Sequence, residues 1–200
     1  MANGNGAHQY SGARPGLSEW FATPLGQYVL DWERAQFDLA TEDVFGYRAV
    51  QMGLHRVDFL RANRIPFKFT LALEHGAALA ADPMQLPLAN QSVDLVVLPH
   101  ALESTADPHL VLREAERVLI PEGQLVISGF NPLSLWRLRQ VFARGGAGAP
   151  WDERFTGLLR LKDWLHLLGF ELNGGRFGCY APPFERPLWL SRFAFMEKAG

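Results

Sequence analysis

Apolar residues recur along the chain at two spacings, which predict helices and strands in alternation. The first helix begins at Thr23-Pro24, where an N-cap precedes a proline at the first helical position. A later helix begins in the same way at Asp107-Pro108. Together with apolar positions every three or four residues, these signals predict helices over residues 24–39, 55–63, 108–119, 131–141 and 161–168.

Short apolar runs bounded by glycine or proline predict the strands, which cover residues 47–53, 67–73, 77–82, 93–98, 124–130 and 170–179. The run VDLVVL at 93–98 is rich in β-branched residues, as is typical of a strand buried on both faces of a parallel sheet. A strand, a helix and a strand follow one another within about 38 residues, which is the length of a βαβ unit with parallel strands. The pattern therefore predicts an α/β fold with a doubly wound, mostly parallel sheet.

The length of 200 residues and a hydrophobic content of 48% are those of one globular domain. Residues 1–16 are polar and rich in glycine and asparagine, so we expect a flexible N-terminus followed by a single domain over residues 17–200. The glycine-rich run at 144–150 is interpreted as a surface loop, because too little chain follows it to build a second core.

Charge and cysteine usage exclude several classes of partner. Nineteen basic and 21 acidic side chains leave a net charge of −2, which gives no field to attract nucleic acid or anionic lipid. Cys179 is the single cysteine and cannot form an internal disulfide, which is consistent with a reducing, cytoplasmic location. The sequence has no apolar run of roughly 18 residues that would cross a membrane, and its six histidines lack the spacing of metal ligands.

Several chemistry-bearing residues follow the predicted strands directly. Ligands of open parallel sheets bind beyond the carboxyl ends of the strands, where the strand order reverses. The residues placed there are Gly53, Leu54, Glu74, Asp82, Pro99, His100 and Asn131. We therefore expect a binding site at this edge of the sheet.

Residues 82–127 carry a more specific pattern. The chain reads DPMQLPLANQSVDLVV at 82–97, HALE at 100–103, DPHLVLREAERVL at 107–119 and IPEGQLVI at 120–127. This resembles the central part of class I S-adenosylmethionine-dependent methyltransferases that act on small molecules. The resemblance implies S-adenosylmethionine as cofactor and a Rossmann-like, three-layer αβα fold with strand order 3-2-1-4-5. Similar enzymes close the sheet with an antiparallel pair that this sequence lacks, so a shortened C-terminal edge is expected.

The same resemblance implies roles for individual residues. Asp82 matches the carboxylate that accepts a hydrogen bond from the adenine amino group, although an aspartate taken alone is more often a solvated turn residue. Met84 would lie along the adenine ring, and Pro99 would border the cofactor. Glu74 stands where similar enzymes place the carboxylate that binds both ribose hydroxyls. Gly53 is the one matching glycine of the turn that approaches the cofactor.

That turn departs from the family, because Gln51 replaces the usual acidic residue and Leu54 and His55 stand where a glycine-rich turn is expected. His100 and Glu103 would border the methyl-acceptor pocket, His100 either as a base or as a residue that shapes the pocket. The preferred function is methyl transfer to a small-molecule acceptor. The alternative is a non-catalytic protein that keeps the fold for binding, and a nucleotide-dependent oxidoreductase is disfavoured because GxGxxG is absent.

Overall fold

Eight regular elements are assigned in the computed structural model, which describes residue 17 and residues 20–73, 75–131 and 156–179. In chain order they are α1 (Pro24–Thr41), β1 (Arg48–Met52), β2 (Phe67–Ala72), β3 (Leu79–Ala80), β4 (Val93–Pro99), α2 (Pro108–Val118), β5 (Leu119–Ser128) and α3 (Leu158–Leu167). No helix in these ranges is long and apolar enough to cross a membrane.

The five strands form one sheet in the order β3-β2-β1-β4-β5, and every neighbouring pair is parallel. The predicted α/β class and strand order are thus confirmed. Because all the strands run the same way, their carboxyl ends lie along one edge. The central strand β1 pairs with β2 on one side and with β4 on the other, which brings the ends of these three strands together.

Each face of the sheet is covered by helices, which gives the expected three layers. Val50 and Val96 face an apolar cluster that includes residues of α2 and α3. Ala49 and Leu95, one residue earlier in each strand, face a second cluster that includes residues of α1. All four side chains are fully buried, and burial of each larger aliphatic side chain contributes roughly 1.5–3 kcal/mol. Because successive side chains of a strand point to opposite faces, the central strands present apolar residues on both faces, and helices cover both.

The two predicted cap-and-proline signals begin helices as expected. Thr23 Oγ1 accepts a hydrogen bond from Gly26 N at 3.1 Å, and Asp107 Oδ1 accepts from His109 N and Leu110 N at 3.0 and 3.2 Å. Each side chain thereby satisfies N–H groups that the first helical turn leaves unpaired.

Two predicted elements are wrong. Residues 55–63 form turns rather than a helix, because side chains elsewhere bind their backbone: Phe59 N, for example, donates to Gln51 Oε1 at 3.0 Å. Residues 170–179 form no strand: residues 171–177 are all exposed, including the apolar Leu172 and Phe177, and among the described residues the edge strand β5 pairs with β4 alone. The predicted flexible segment 1–16, the helix at 131–141 after its first residue and the end of the chain from residue 180 lie outside the described residues.

Candidate functional site

A cleft of about 200 Å³ lies at the carboxyl ends of β1, β2 and β4. Of the candidate site residues, Gly53, Asp82, Met84 and His100 line it. Pro99 and Glu103 do not line the cleft, although each touches a residue that does. Glu74 lies outside the described residues. The structure therefore brings these four residues, together with Leu54 of the expected strand-end set, to one place.

Gly53 allows the turn after β1 to approach the end of β4. Its φ is +93°, and a Cβ atom added there would lie 2.4 Å from the carbonyl oxygen of Pro99. Leu54 follows with φ +38°, and its side chain packs in part against the apolar cluster beneath α1. Leu54 thus reaches the core as well as the cleft, so its presence does not by itself fill the site.

Gln51 holds the rest of this turn and was not predicted to do so. It is fully buried, and its Nε2 donates to Val57 O at 2.7 Å and to the carbonyls of Gly53 and Leu54 at 3.3 Å. Its Oε1 accepts from Phe59 N. A carboxylate at this position has no hydrogen to donate to three carbonyl groups. The exchange of the family's acidic residue for glutamine therefore matches a structural role in the turn.

Asp82 and Met84 form another wall of the cleft. Asp82 Oδ1 accepts from Met84 N at 2.9 Å, which is the hydrogen bond of an Asx turn. Both residues are half-buried and line the cleft. The turn role and the ligand role of Asp82 are therefore compatible, since a carboxylate has two oxygens and several lone pairs.

Arg117 of α2 fixes the chain that follows this wall. Its guanidinium donates to the carbonyls of Leu86 and Leu88 at 3.0 and 2.9 Å and to Glu114. Glu114 in turn accepts from Leu86 N at 2.7 Å, and the hydrogen bonds from Arg117 lower the pKa of the Glu114 carboxyl. Arg117 thus fixes residues 86–88 against α2, and the sequence signal for this contact is the arginine of the RVL sequence at 117–119.

His100 occupies the end of β4 between two carboxylates. Its Nε2 lies 2.8 Å from Glu33 Oε1 of α1, and its Nδ1 lies 2.5 Å from Glu103 Oε2. Glu103 also accepts from Phe130 N. These contacts connect α1 to the segments that follow β4 and β5. Glu33 was missed by the sequence analysis, because 67 positions separate it from His100.

The surroundings of His100 decide its protonation. Burial alone would lower the pKa of His100, but the charges and hydrogen bonds of Glu33 and Glu103 raise it to about 10. The ring is therefore an imidazolium at neutral pH, and both nitrogens are already engaged. A group in this state is not available to accept a proton, so its position favours a shaping role over a role as base. The ring of Phe130 lies 4.4 Å from it, centroid to centroid, and that of Phe21 lies 5.2 Å from it.

The chemical groups that line the cleft suit S-adenosylmethionine, which is the cofactor that the sequence resemblance implies. The carboxylate of Asp82 can accept a hydrogen bond from an adenine amino group, and Met84 offers an apolar side chain next to it. The volume is below the roughly 300–1,000 Å³ of typical ligand pockets. The described cleft is therefore smaller than a typical ligand site, and a bound cofactor would extend beyond it.

Sequence comparison finds matches to part of the chain. A family model described as a methyltransferase domain matches residues 49–127, from β1 to β5. The uncharacterized protein YafS of Escherichia coli (strain K12) is 50% identical over 98 residues, which are 48% of this chain and 41% of that protein. The malonyl-[acyl-carrier protein] O-methyltransferase of Laribacter hongkongensis (strain HLHK9) is 39% identical over 94 residues, 47% of this chain and 31% of that protein. The chain thus spans less than half the length of these curated relatives.

Comparison of structures extends the likeness to more of the chain. The crystal structure of an S-adenosylmethionine-dependent methyltransferase from Thermotoga maritima superposes with a TM-score of 0.58 at 20% identity, covering 78% of this chain and 76% of that one. At this identity the likeness concerns the fold. Residues 49–127 thus match a methyltransferase domain, and the chain shares its fold with an S-adenosylmethionine-dependent methyltransferase of known structure.

Proposed function

We propose that this chain binds S-adenosylmethionine in the cleft at the carboxyl ends of β1, β2 and β4 and catalyses transfer of its methyl group to a small-molecule acceptor. One observation carries the proposal: apart from Leu17 and Phe21, every described residue that lines the cleft lies within the matched segment 49–127. The segment that matches the methyltransferase domain is thus the segment that builds most of the cleft.

The residues of the cleft have distinct tasks in this proposal. Asp82 accepts a hydrogen bond from the adenine amino group, and Met84 packs against the ring. Leu17 and Phe21 exclude water from the end of the cleft beside His100. S-adenosylmethionine carries its methyl group on a sulfonium, so the leaving group is already activated and no nucleophile is required of the protein. Orientation of the reactants accounts for roughly 7–11 kcal/mol of such a barrier.

Titration calorimetry with S-adenosylmethionine and S-adenosylhomocysteine tests the proposal, with Asp82→Ala as the informative variant. Loss of a hydrogen bond to a charged acceptor, worth roughly 1.5–3 kcal/mol, should weaken binding by about one to two powers of ten. Asp82→Asn should be milder, because an amide oxygen still accepts. Asp163→Ala, which removes an exposed carboxylate from α3, is the matched control and should bind like the parent.

The possible outcomes test the choice of cofactor and the role of Asp82 separately. A folded parent protein that binds neither compound would contradict the proposed function. If Asp82→Ala binds S-adenosylmethionine as tightly as the parent does, the protein binds the proposed cofactor but the role proposed for Asp82 is wrong. Binding without conversion of S-adenosylmethionine to S-adenosylhomocysteine in the presence of small acceptors would favour the non-catalytic alternative.

A further inference from the structure

Arg56 brings to the cofactor cleft a positive charge that no described residue neutralises. It stands in the turn after β1, is exposed, and lines the cleft together with the rest of that turn. Its side chain forms no ion pair or hydrogen bond with any residue that the structure describes. An arginine elsewhere on the surface is simply solvated, whereas an arginine at the mouth of a ligand cleft can bind an anionic group of the ligand.

The other cationic groups at the cleft are closed to a ligand. Both ring nitrogens of His100 are held by glutamate side chains. The Nε2 atom of His55 is buried, and a Cβ atom added at Gly76 would lie 3.7 Å from it, so this edge of the ring faces the segment after β2. Among the described residues that line the cleft, Arg56 is therefore the cation that an entering ligand can reach.

Arg56 and Asp82 place opposite charges at separate strand ends. Asp82 follows β3 and Arg56 follows β1, and β2 lies between these two strands in the sheet. Two strand spacings of about 4.8 Å each separate the ends of β3 and β1. An elongated ligand whose adenine lies at Asp82 thus passes across the end of β2 toward the turn that carries Arg56.

The wall of the cleft beside the end of β4 suits an anion poorly. It is lined by Phe21 and Ala101, which are buried apolar residues. Placing an ionised carboxylate against such side chains costs free energy unless a cation or several hydrogen-bond donors bind it. S-adenosylmethionine carries its carboxylate at the end opposite the adenine. The cleft therefore offers this carboxylate a favourable partner at Arg56 and an unfavourable one at the apolar wall.

We propose that Arg56 binds the carboxylate of S-adenosylmethionine and thereby selects nucleosides that carry a carboxylate on their tail. The inference rests on the proposed function and adds a specificity-determining residue to it. Leu54 and His55 occupy positions where a glycine-rich turn would present its backbone closely to the cofactor. A guanidinium on a long side chain can instead reach a carboxylate and bind it through two parallel hydrogen bonds.

Titration calorimetry on the full chain tests this role with S-adenosylhomocysteine and 5′-methylthioadenosine, which share the adenosine and the sulfur but differ in the carboxylate-bearing tail. We expect S-adenosylhomocysteine to bind at least about tenfold more tightly. Arg56→Met keeps an apolar stem without the charge, so it should lower this ratio by about tenfold and leave the affinity for 5′-methylthioadenosine unchanged. Arg64→Met is the matched control, because Arg64 is exposed and does not line the cleft.

Equal affinities of the two nucleosides in the parent protein would overturn the inference. So would an unchanged ratio in a folded Arg56→Met protein. An equal loss of affinity for both nucleosides in this variant would also overturn it, since that result would show that Arg56 supports the turn and does not contact the tail. A parent protein that binds neither nucleoside contradicts the proposed function itself, whereas the other three results contradict the role of Arg56 alone.

The salt dependence of binding to the parent protein is a second measurement, which does not require that a variant folds. Raising the salt concentration from about 0.01 M to about 1 M screens the charge of an exposed arginine. The ratio of the two affinities should therefore fall severalfold. A ratio that is independent of salt would contradict a charged contact between Arg56 and the tail.

Discussion

The two carboxylates that hold His100 also make the stability of the protein depend on pH. The pKa of His100 is raised from 6.5 to about 10 in the folded chain. A group whose pKa is raised by folding contributes its full stabilisation below pH 6.5, progressively less as the pH rises, and none above about 10. Within this window the loss is at most about 1.4 kcal/mol per pH unit.

Urea denaturation between pH 6.5 and 10 should therefore show a free energy of unfolding that falls as the pH rises. Glu103→Gln removes one of the two charges that raise the pKa, so the decline should end at a lower pH. His109→Gln, at a partly exposed histidine of α2, should decline like the parent. Stability that is constant across this window in the parent protein would contradict the buried imidazolium.

Gly53 is the second residue with a measurable consequence. Gly53→Ala should lower the free energy of unfolding by about 2 kcal/mol or more, because alanine at a positive φ is strained and its Cβ meets Pro99 O. Gly174→Ala is the control, since nothing lies within 4 Å of a Cβ at that position. Its effect should stay within about 0.5 kcal/mol. Urea denaturation of both variants measures the difference, and equal stabilities would show that the turn relaxes.

Individual residues differ in how well their surroundings follow from the sequence. Asp82 and Met84 line the cleft, and both lie in a short segment between two strands that the sequence predicted; their role toward the cofactor stays a prediction. Gln51 and Glu33 were missed, since their partners are backbone groups of a turn and a side chain 67 positions away. The local sequence pattern therefore predicts which element a residue belongs to, but it does not predict which distant group that residue will contact.

At the scale of elements, α2 is both a covering helix and the support for one wall of the cleft. Arg117→Met should cost about 1–3 kcal/mol of stability, because it leaves the carbonyls of Leu86 and Leu88 without their donor. Binding of S-adenosylmethionine should weaken severalfold, since the freed segment continues directly from Asp82 and Met84. Calorimetry and urea denaturation measure the two effects.

Arg113→Met is the control for this variant, because Arg113 is an exposed arginine of the same helix. It should retain the stability and affinity of the parent. Loss of stability without any loss of affinity in Arg117→Met would show that Arg117 supports the core alone.

Elements with strong local signals were predicted better than those stabilised from elsewhere. The helices that begin after Thr23 and Asp107 were found through their caps, which are complete within four residues. Residues 55–63 have a helical pattern, but hydrogen bonds with Gln51 hold them in turns: its Nε2 donates to Val57 O, and its Oε1 accepts from Phe59 N. Tertiary hydrogen bonds thus overrode a weak local preference.

For the whole molecule, binding of the cofactor should be visible as thermal stabilisation. A ligand that binds only the folded state at 100 times its Kd contributes roughly 2.7 kcal/mol. For a chain of this size each kcal/mol raises Tm by about 2–4 °C, so S-adenosylmethionine should raise Tm by roughly 5–10 °C. Asp82→Ala should show a smaller rise at the same concentration. Differential scanning calorimetry measures both, and an unchanged Tm of the parent would argue against the site.

The pairing of β1 with β4 also has a consequence for how the chain acquires its structure. Ala49 pairs with Leu95, so this ladder closes a loop of about 46 residues, whereas β1 and β2 are close in the sequence. Contacts at long sequence separation slow folding, because chain entropy is lost before they form. Since Gly53 and His100 meet only when this ladder is closed, we expect the cofactor to bind after this slow step and not to accelerate it.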